Sequence, residues 1–142
     1  MYQHIMQKAF TVIIAFLVLL YGENGTFANT QTIELPKCII KAHCARVNLE
    51  VKDLNDSFQR ITEVIENTPR ITVVERSDSF IHAEVKTKLM HFIDDLEVKA
   101  IPKYGILQVR SESRVGFGDM GVNKKRIESL ANELNKVEQI QN

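Results

Sequence analysis

Two stretches of the chain place apolar residues three or four positions apart, which is the spacing of an amphipathic helix. In the first stretch the apolar positions are Phe58, Ile61, Val64 and Ile65. In the second they are Ile127, Leu130, Leu134 and Val137. Asn55 or Asp56 can cap the first helix, and Pro69 ends it because the residue before a proline avoids the α region. Asn123 is a good N-cap for the second helix, which we predict over residues 123–137.

Between the helices the pattern changes to short runs rich in Ile, Val, Thr and Phe, separated by turns, which is typical of β-strands. The predicted strands are residues 70–76, 80–86, 91–99 and 106–113. Strands joined by such short connections pair antiparallel. The sequence therefore predicts an α+β fold, with a four-stranded antiparallel sheet and two helices packed on one face.

The N-terminus has the three-part layout of a secretory signal peptide. Lys8 precedes an apolar run over residues 9–20, and the small residues Thr26 and Ala28 provide a cleavage site. The apolar run is too short to span a bilayer comfortably. We therefore expect residues 1–28 to be a signal peptide, and the mature domain to be periplasmic or secreted and not membrane-spanning. The alternative is tethering by an uncleaved N-terminal segment.

Residues 29–52 are predicted to form a polar arm that precedes a single α+β domain over residues 53–142. The arm contains both cysteines of the chain, Cys38 and Cys44. In an oxidising compartment, two cysteines this close can close a small loop as a disulfide, which would fix the arm to the domain. The alternatives are a reactive thiol pair or a metal site with His43, although zinc sites normally need more ligands.

Charge is balanced over the 142 residues, with 18 basic and 18 acidic side chains. The balance also holds without the predicted signal peptide, which contains one basic residue, Lys8, and one acidic residue, Glu23. A nucleic-acid-binding domain normally carries a basic excess. We therefore expect no nucleic-acid partner.

The segment Gly116–Gly121 matches the G-x-G-x-x-G pattern of dinucleotide sites and precedes a helix. A dinucleotide site also needs a following parallel strand, and none is predicted here. Asp119 would in addition repel a pyrophosphate. We expect no cofactor, and the glycines more simply allow positive φ angles in a tight strand-to-helix loop.

Ionisable residues on neighbouring strands can share a face, because side chains alternate across a strand. His82 and Glu84 lie on one face of their strand, and Arg110 lies on the polar face of the last strand. Asp94 and Asp95 are adjacent, so only one of them joins that face. Cross-strand neighbours lie about 5 Å apart, so a His–Glu–Asp–Arg cluster is possible. It can be a solvated face with ordinary ion pairs, a ligand site or an acid–base site.

Basic residues at the start of the second helix add a further candidate site. Lys124, Lys125 and Arg126 occupy its first turn, where cations oppose the helix dipole. Together with the free N–H groups of that turn they form a plausible anion site. The anion can also be internal. In that case a structural polar lock would join Arg114 and Arg126 to Asp94, Asp95 or Asp119. Arg110 and Arg114 would oppose a bound cation, so we expect no metal.

These charged blocks resemble the DUF1499 family, a domain of unknown function. The resembling blocks are Ile81-His82-Ala83-Glu84, Phe92-Ile93-Asp94-Asp95 with Glu97, Val109-Arg110-Ser111-x-Ser113-Arg114-x-Gly116, Asp119-x-Gly121-x-Asn123 and Arg126. The pair Cys38 and Cys44 is similar to the N-terminal cysteine motif of the family. The resemblance implies a small exported or membrane-associated domain, and it supplies no established activity.

The leading functional hypothesis is an exported, non-enzymatic domain that binds a protein partner or a small anionic ligand. The candidate ligand-binding residues are Arg110, Arg114, Asn123, Lys124 and Arg126. The rival is a hydrolase or isomerase in which His82 and Glu84 act as an acid–base pair and Arg110 holds an anionic substrate. A purely structural envelope protein is the third class.

Overall fold

The computed structural model describes residues 34–116 and 118–140, with side chains to residue 136. The predicted signal peptide and residues 29–33 of the predicted arm lie outside the described residues. The described elements are, in chain order, β1 (Cys44–Glu50), α1 (Leu54–Asn67), β2 (Ile71–Arg76), β3 (Phe80–Lys86), β4 (Ile93–Ile101), β5 (Ile106–Ser113) and α2 (Val122–Ile140). The fold is α+β, as the sequence predicts.

The sheet has five antiparallel strands in the order β1-β5-β4-β3-β2. The prediction of four strands is wrong, because β1 lies within the segment interpreted as a polar arm. Ala45, Val47 and Leu49 of β1 face the helices, as the register with β5 requires. The intervening Arg46 and Asn48 face the other way. This alternation over seven residues is the signal of a half-buried strand that the sequence already contains.

Both helices pack on the same face of the sheet and enclose one apolar core. The core side chains of the helices are Phe58, Ile61, Ile65, Ile127, Leu130 and Leu134. Those of the sheet include Ile81, Ala83, Val85, Leu96, Val98, Leu107 and Val109. The alternation predicted for β3 and β5 is therefore confirmed, and the opposite face of the sheet, here called the outer face, carries the polar side chains.

Both helices begin earlier than the sequence predicts. Asp53, and neither Asn55 nor Asp56, caps α1, since its carboxylate accepts the backbone N–H of Asp56 at 2.9 Å. The Asp119 carboxylate accepts the N–H groups of Gly121 and Asn123 at the start of α2, each at 2.8 Å. Asn123 is thus not the N-cap. Its side chain is free to take a different role inside the protein.

The predicted disulfide between Cys38 and Cys44 is present, with the two Cα atoms 5.5 Å apart. It closes a loop directly before β1, so the loop is covalently attached to the first residue of the sheet. In the described part of the chain, no helix combines the length and apolar character needed to cross a membrane.

Candidate functional site

The outer face carries a row of ionisable residues that crosses four strands of the sheet. His82, Glu97 and Arg110 lie directly opposite one another on β3, β4 and β5, and Arg46 of β1 continues the row. Arg110 donates to the Glu97 carboxylate at 2.8 Å and also contacts Glu112. The Arg110 side chain is only 11% exposed, so this guanidinium is held between two carboxylates with little access for an external anion.

A second row on the outer face consists of three acids, Glu84, Asp95 and Glu112, on adjacent strands. Like charges placed directly opposite would be destabilising without compensation. Arg114 compensates the charges of two of these acids by donating to both Asp95 oxygens, at 2.9 and 2.7 Å, and to Glu84 at 2.7 Å. The His82 Nε2 atom lies 2.7 Å from Asp95 Oδ1. We call these two rows with Arg114 the outer-face network.

The electrostatics of the outer-face network favour the ionised form of its central acid. Hydrogen bonds from Arg114, and then the contact with His82, hold the pKa of Asp95 below its usual value, against the opposing effect of partial burial. The same bonds from Asp95 and Glu84 raise the pKa of Arg114 further above its usual value. Asp95 is therefore a carboxylate at neutral pH and a poor source of a catalytic proton.

We predict that the Asp95 contribution to stability is lost in acid. Because the folded-state pKa lies below the unfolded one, the contribution is complete above about pH 4 and falls as pH drops through the folded-state pKa. Urea unfolding measured from pH 6 down to pH 2 should show a shallower loss of stability below about pH 4 for Asp95→Asn than for the wild type. Identical slopes would contradict the prediction. Asp119→Asn provides a comparison, because Asp119 is also an acid of lowered pKa but lies outside the network.

The residues before the disulfide loop cover part of the outer face. The backbone N–H of Leu35 donates to Gln108 Oε1 at 2.5 Å, and Arg46 pairs with Glu34 at 2.7 Å. Leu35 and Gln108 are buried in consequence, with 5% and 0% of their surface exposed. The sequence gives Gln108 a place on the polar face, but it contains no signal for this cover.

On the opposite side of the sheet, five polar residues form a buried polar network beneath the start of α2. Its members are Asp94, Ser111, Ser113, Asn123 and Arg126. Arg126 donates to Asp94 at 2.7 Å, to Ser111 at 2.6 Å and to Asn123 at 2.5 Å. The Asp94 side chain is 1% exposed and that of Arg126 is 13% exposed. Asp94 is thus the inward-pointing member of the acidic pair, and Arg126 compensates its charge.

Asn123 connects the buried polar network to the disulfide loop. Its Nδ2 atom donates to the backbone carbonyl of His43 at 2.9 Å and to Ser113 at 3.0 Å, and its Oδ1 atom accepts from Ser111 at 2.7 Å. His43 directly precedes the disulfide-bonded Cys44. One buried amide therefore joins α2, β5 and the segment that enters β1.

The structure divides the predicted site residues into separate environments. Arg110, Arg114, His82, Glu84 and Asp95 belong to the outer-face network, and Asp94, Asn123 and Arg126 belong to the buried polar network. Lys124 is 76% exposed and lies 3.8 Å from Glu128. Asp119 caps α2 and takes no arginine among the described contacts. The sequence left Asp94, Asp95 and Asp119 open as partners of the two arginines, and the structure pairs Arg114 with Asp95 and Arg126 with Asp94.

An open cleft of about 610 Å³ runs along the outer edge of β1 and was not predicted. The disulfide, Ala42, Ala45 and Val47 supply its apolar wall, and Lys41, Arg46 and Lys124 are its basic residues. Asp119 is the acid in this lining. Burial would raise the pKa of Asp119, but the N–H groups of Asn123 and Gly121 lower it below its usual value. The Asp119 carboxylate is therefore ionised, and both of its oxygens are hydrogen-bonded to N–H groups at the start of α2.

The geometry gives little support to metal binding or to acid–base catalysis by His82 and Glu84. No group of three or more metal-ligating side chains occurs within residues 34–116 and 118–140. His82 and Glu84 share the outer face, but His82 contacts Asp95 and Glu84 accepts from Arg114. The two residues of the predicted acid–base pair are thus each engaged with a different partner.

The comparisons with known proteins agree with the family resemblance that the charged blocks of the sequence indicate. A family model described as "Protein of unknown function (DUF1499)" matches residues 30–134, which include all five strands and most of α2. No curated protein matches the chain at a significant level. Because the match covers most of the chain and contains both polar networks, this protein belongs to the DUF1499 family.

Proposed function

We propose that this protein is an exported, non-enzymatic binding domain and that its ligand is an anionic molecule held in the cleft beside β1. The observation that carries the proposal is the distribution of neutralised charge. The guanidinium groups of Arg110, Arg114 and Arg126 are each taken up by carboxylates of the chain. Lys41, on the wall of the cleft, has no ion-pair partner in the described part of the chain.

Of the other two basic residues of the cleft, Lys124 strengthens its positive character and Arg46 is neutralised. Lys124 makes only a long contact with Glu128 across an exposed helix turn, and such pairs contribute little. Arg46 is paired with Glu34, whose pKa that pairing lowers. Both Asp119 oxygens accept N–H groups at the start of α2. The Asp119 carboxylate is therefore not paired with Lys41 or Lys124, and these two lysines are available to a ligand. An anion entering here would meet Lys41 and Lys124.

Export is supported by the disulfide, which persists in oxidising compartments and is rare in reducing ones. It is also consistent with the signal-peptide layout of residues 1–28. We propose a periplasmic or secreted protein on these grounds. Fractionation of cells that produce the full chain, with a mass measurement of the product, tests both export and cleavage near Ala28.

The rival function, acid–base catalysis, has one observation in its favour, the 2.7 Å contact between His82 and Asp95. A histidine oriented by a carboxylate is a common acid–base arrangement. Here, however, the carboxylate also binds Arg114, and the cysteines of the chain are joined in a disulfide and supply no nucleophile. The binding function therefore has the stronger support.

A thermal-shift screen of the oxidised full chain tests the anion site. Phosphate, phosphorylated sugars and acidic glycans are the probes, and a ligand at 100 times its Kd should stabilise the fold by about 2.7 kcal/mol. We predict that the shift is lost or strongly reduced in Lys41→Gln. Lys103→Gln, an exposed lysine of the β4–β5 turn, is the matched control and should respond like the wild type.

Other outcomes of the screen would place the site elsewhere or remove it. A shift that survives Lys41→Gln and Lys124→Gln but disappears in Arg110→Gln would move the ligand to the outer-face network. No shift with any anion would contradict the proposed function.

A further inference from the structure

One end of the sheet gathers three loops that carry apolar side chains into solvent. β1 and β4 begin at this end, and β3 and β5 finish there. The three loops are the disulfide loop (residues 37–43), the β3–β4 turn (residues 87–92) and the described part of the β5–α2 loop (residues 114–116 and 118–121). We call this region the loop end. The opposite end carries the β2–β3 and β4–β5 turns.

The apolar side chains of the loop end are unusually exposed for their size. In the disulfide loop, Ile39 is 92% exposed. In the β3–β4 turn, Leu89 and Met90 are 87% and 68% exposed. In the β5–α2 loop, Val115 and Met120 are 52% and 95% exposed. Isolated exposed apolar residues are ordinary, but a cluster projected from three separate loops marks an interaction surface.

Backbone hydrogen bonds join the β5–α2 loop to the disulfide loop and to the start of β4. Asp119 N–H donates to the carbonyl of Ala42 at 3.0 Å, which joins the β5–α2 loop to the disulfide loop. Arg114 N–H donates to Ile93 at 3.3 Å, which joins the β5–α2 loop to the start of β4. The disulfide adds a covalent closure. The disulfide loop and the β5–α2 loop are therefore held against each other, which lowers the entropic cost of docking.

The charge of the loop end indicates which kind of partner surface it would bind. Six exposed lysines lie within the three loops or directly next to them in the chain, namely Lys37, Lys41, Lys86, Lys88, Lys124 and Lys125. The acid among residues 37–43, 86–92 and 114–125 is Asp119, and its oxygens are used by α2. The whole chain has equal numbers of basic and acidic residues. The acids at the adjoining strand ends, Glu84, Asp94, Asp95 and Glu112, are paired with arginines, so the lysines give the loop end its basic excess.

We propose that the loop end docks on an anionic lipid membrane, with the apolar tips inserted among the acyl chains and the lysines at the level of the headgroups. Apolar residues flanked by lysines are the combination that binds anionic bilayer surfaces, because insertion and electrostatic attraction add. Lysine stems also cover apolar surface while their ammonium groups remain in water. This docking shares Lys41 and Lys124 with the cleft but does not require an anion bound there, and it holds the domain at a membrane without a spanning helix.

The absence of tryptophan from the sequence makes a direct test possible in the full chain. Leu89→Trp and Met120→Trp each place a single fluorophore on an apolar tip. Tyr104→Trp places one at the opposite end of the sheet, where Tyr104 is 51% exposed. With vesicles of phosphatidylcholine and phosphatidylglycerol, the tryptophan emission of the Leu89→Trp and Met120→Trp variants should shift to the blue and be quenched by brominated acyl chains. The Tyr104→Trp emission should not change.

This readout reports where the domain inserts and does not depend on whether the N-terminal apolar segment also binds vesicles. In the Leu89→Trp background, Lys125→Gln should lower the equilibrium constant for insertion of this tip, read from the blue-shifted fraction, about fivefold, the change expected for one basic residue. Lys103→Gln should leave it unchanged. Vesicles of phosphatidylcholine alone should bind far more weakly.

Three results would overturn the proposal. The first is sedimentation of the chain with anionic vesicles without any shift at the Leu89→Trp and Met120→Trp positions. The second is an equal shift at all three positions. The third is a blue shift that appears without lipid as protein concentration rises, which would make the loop end a contact between protein chains. An anion-induced thermal shift without membrane insertion would leave the cleft proposal intact and refute this one.

Discussion

Replacing Arg126 with Gln is expected to lower the free energy of unfolding by about 3–5 kcal/mol, which is typical of removing one partner of a buried ion pair. Asp94 is 1% exposed, and its Oδ2 atom accepts from Arg126 at 2.7 Å. Its Oδ1 atom is buried without a hydrogen-bond partner. The substitution would therefore leave a buried carboxylate with neither a countercharge nor access to water. Urea unfolding monitored by circular dichroism measures the loss.

Arg114→Gln is the matched comparison for Arg126→Gln. Arg114 also binds an acid of the adjacent pair, but its side chain is 42% exposed, so water compensates much of what the substitution removes. A loss in Arg126→Gln no larger than that in Arg114→Gln would contradict the idea that burial makes the Asp94 pair critical. Asp94→Leu combined with Arg126→Met should recover part of the stability, because an apolar pair needs no charge compensation.

The alternation of side chains along a strand made the faces of the sheet predictable. Residues two positions apart share a face, so the separation of His82 from Ile81 and of Arg110 from Val109 followed from the sequence. The same rule placed Asp94 and Asp95 on opposite faces. It also shows which one points inward, because Asp94 has the parity of the core residue Leu96.

The pairing of arginines with particular acids depends on register and could not be predicted from spacing. Arg114 and Asp95 are 19 residues apart, and Arg126 and Asp94 are 32 apart. Each arginine has a side chain long enough to reach several of the acids that the sequence offers. Which acid it binds is decided by how β4 and β5 align and where α2 begins, which are properties of the assembled fold.

The strand β1 was missed for a different reason. Its alternating pattern is present, but its apolar residues are modest in size and a disulfide precedes it, so the segment resembles a polar arm. Its partner β5 lies more than fifty residues later in the chain. Long-range pairing thus supplied the stability that local propensity did not. β1 supplies part of the lining of the cleft, and its first residue, Cys44, anchors the disulfide loop of the loop end.

Replacing Asn123 with Ala is expected to cost about 3 kcal/mol, because several hydrogen bonds of a fully buried amide are lost and their partners are left without compensation. The sequence makes Asn123 a good N-cap, yet Asp119 takes that role. The side chain instead donates to His43, 80 residues away in sequence, and accepts from Ser111 and Arg126. Urea unfolding of Asn123→Ala and the wild type measures the cost.

Asn132→Ala is the control within the same helix, since Asn132 is exposed and its loss should change stability by no more than about 0.5 kcal/mol. Equal effects of the two substitutions would mean that the buried polar network does not support the fold. A double-mutant cycle of Asn123→Ala with Arg126→Gln should give a coupling energy of about 0.5–3 kcal/mol, because the two side chains share a hydrogen bond and a common partner, Ser111. Such coupling would establish that Asn123 and Arg126 support the fold together, as members of one buried polar network.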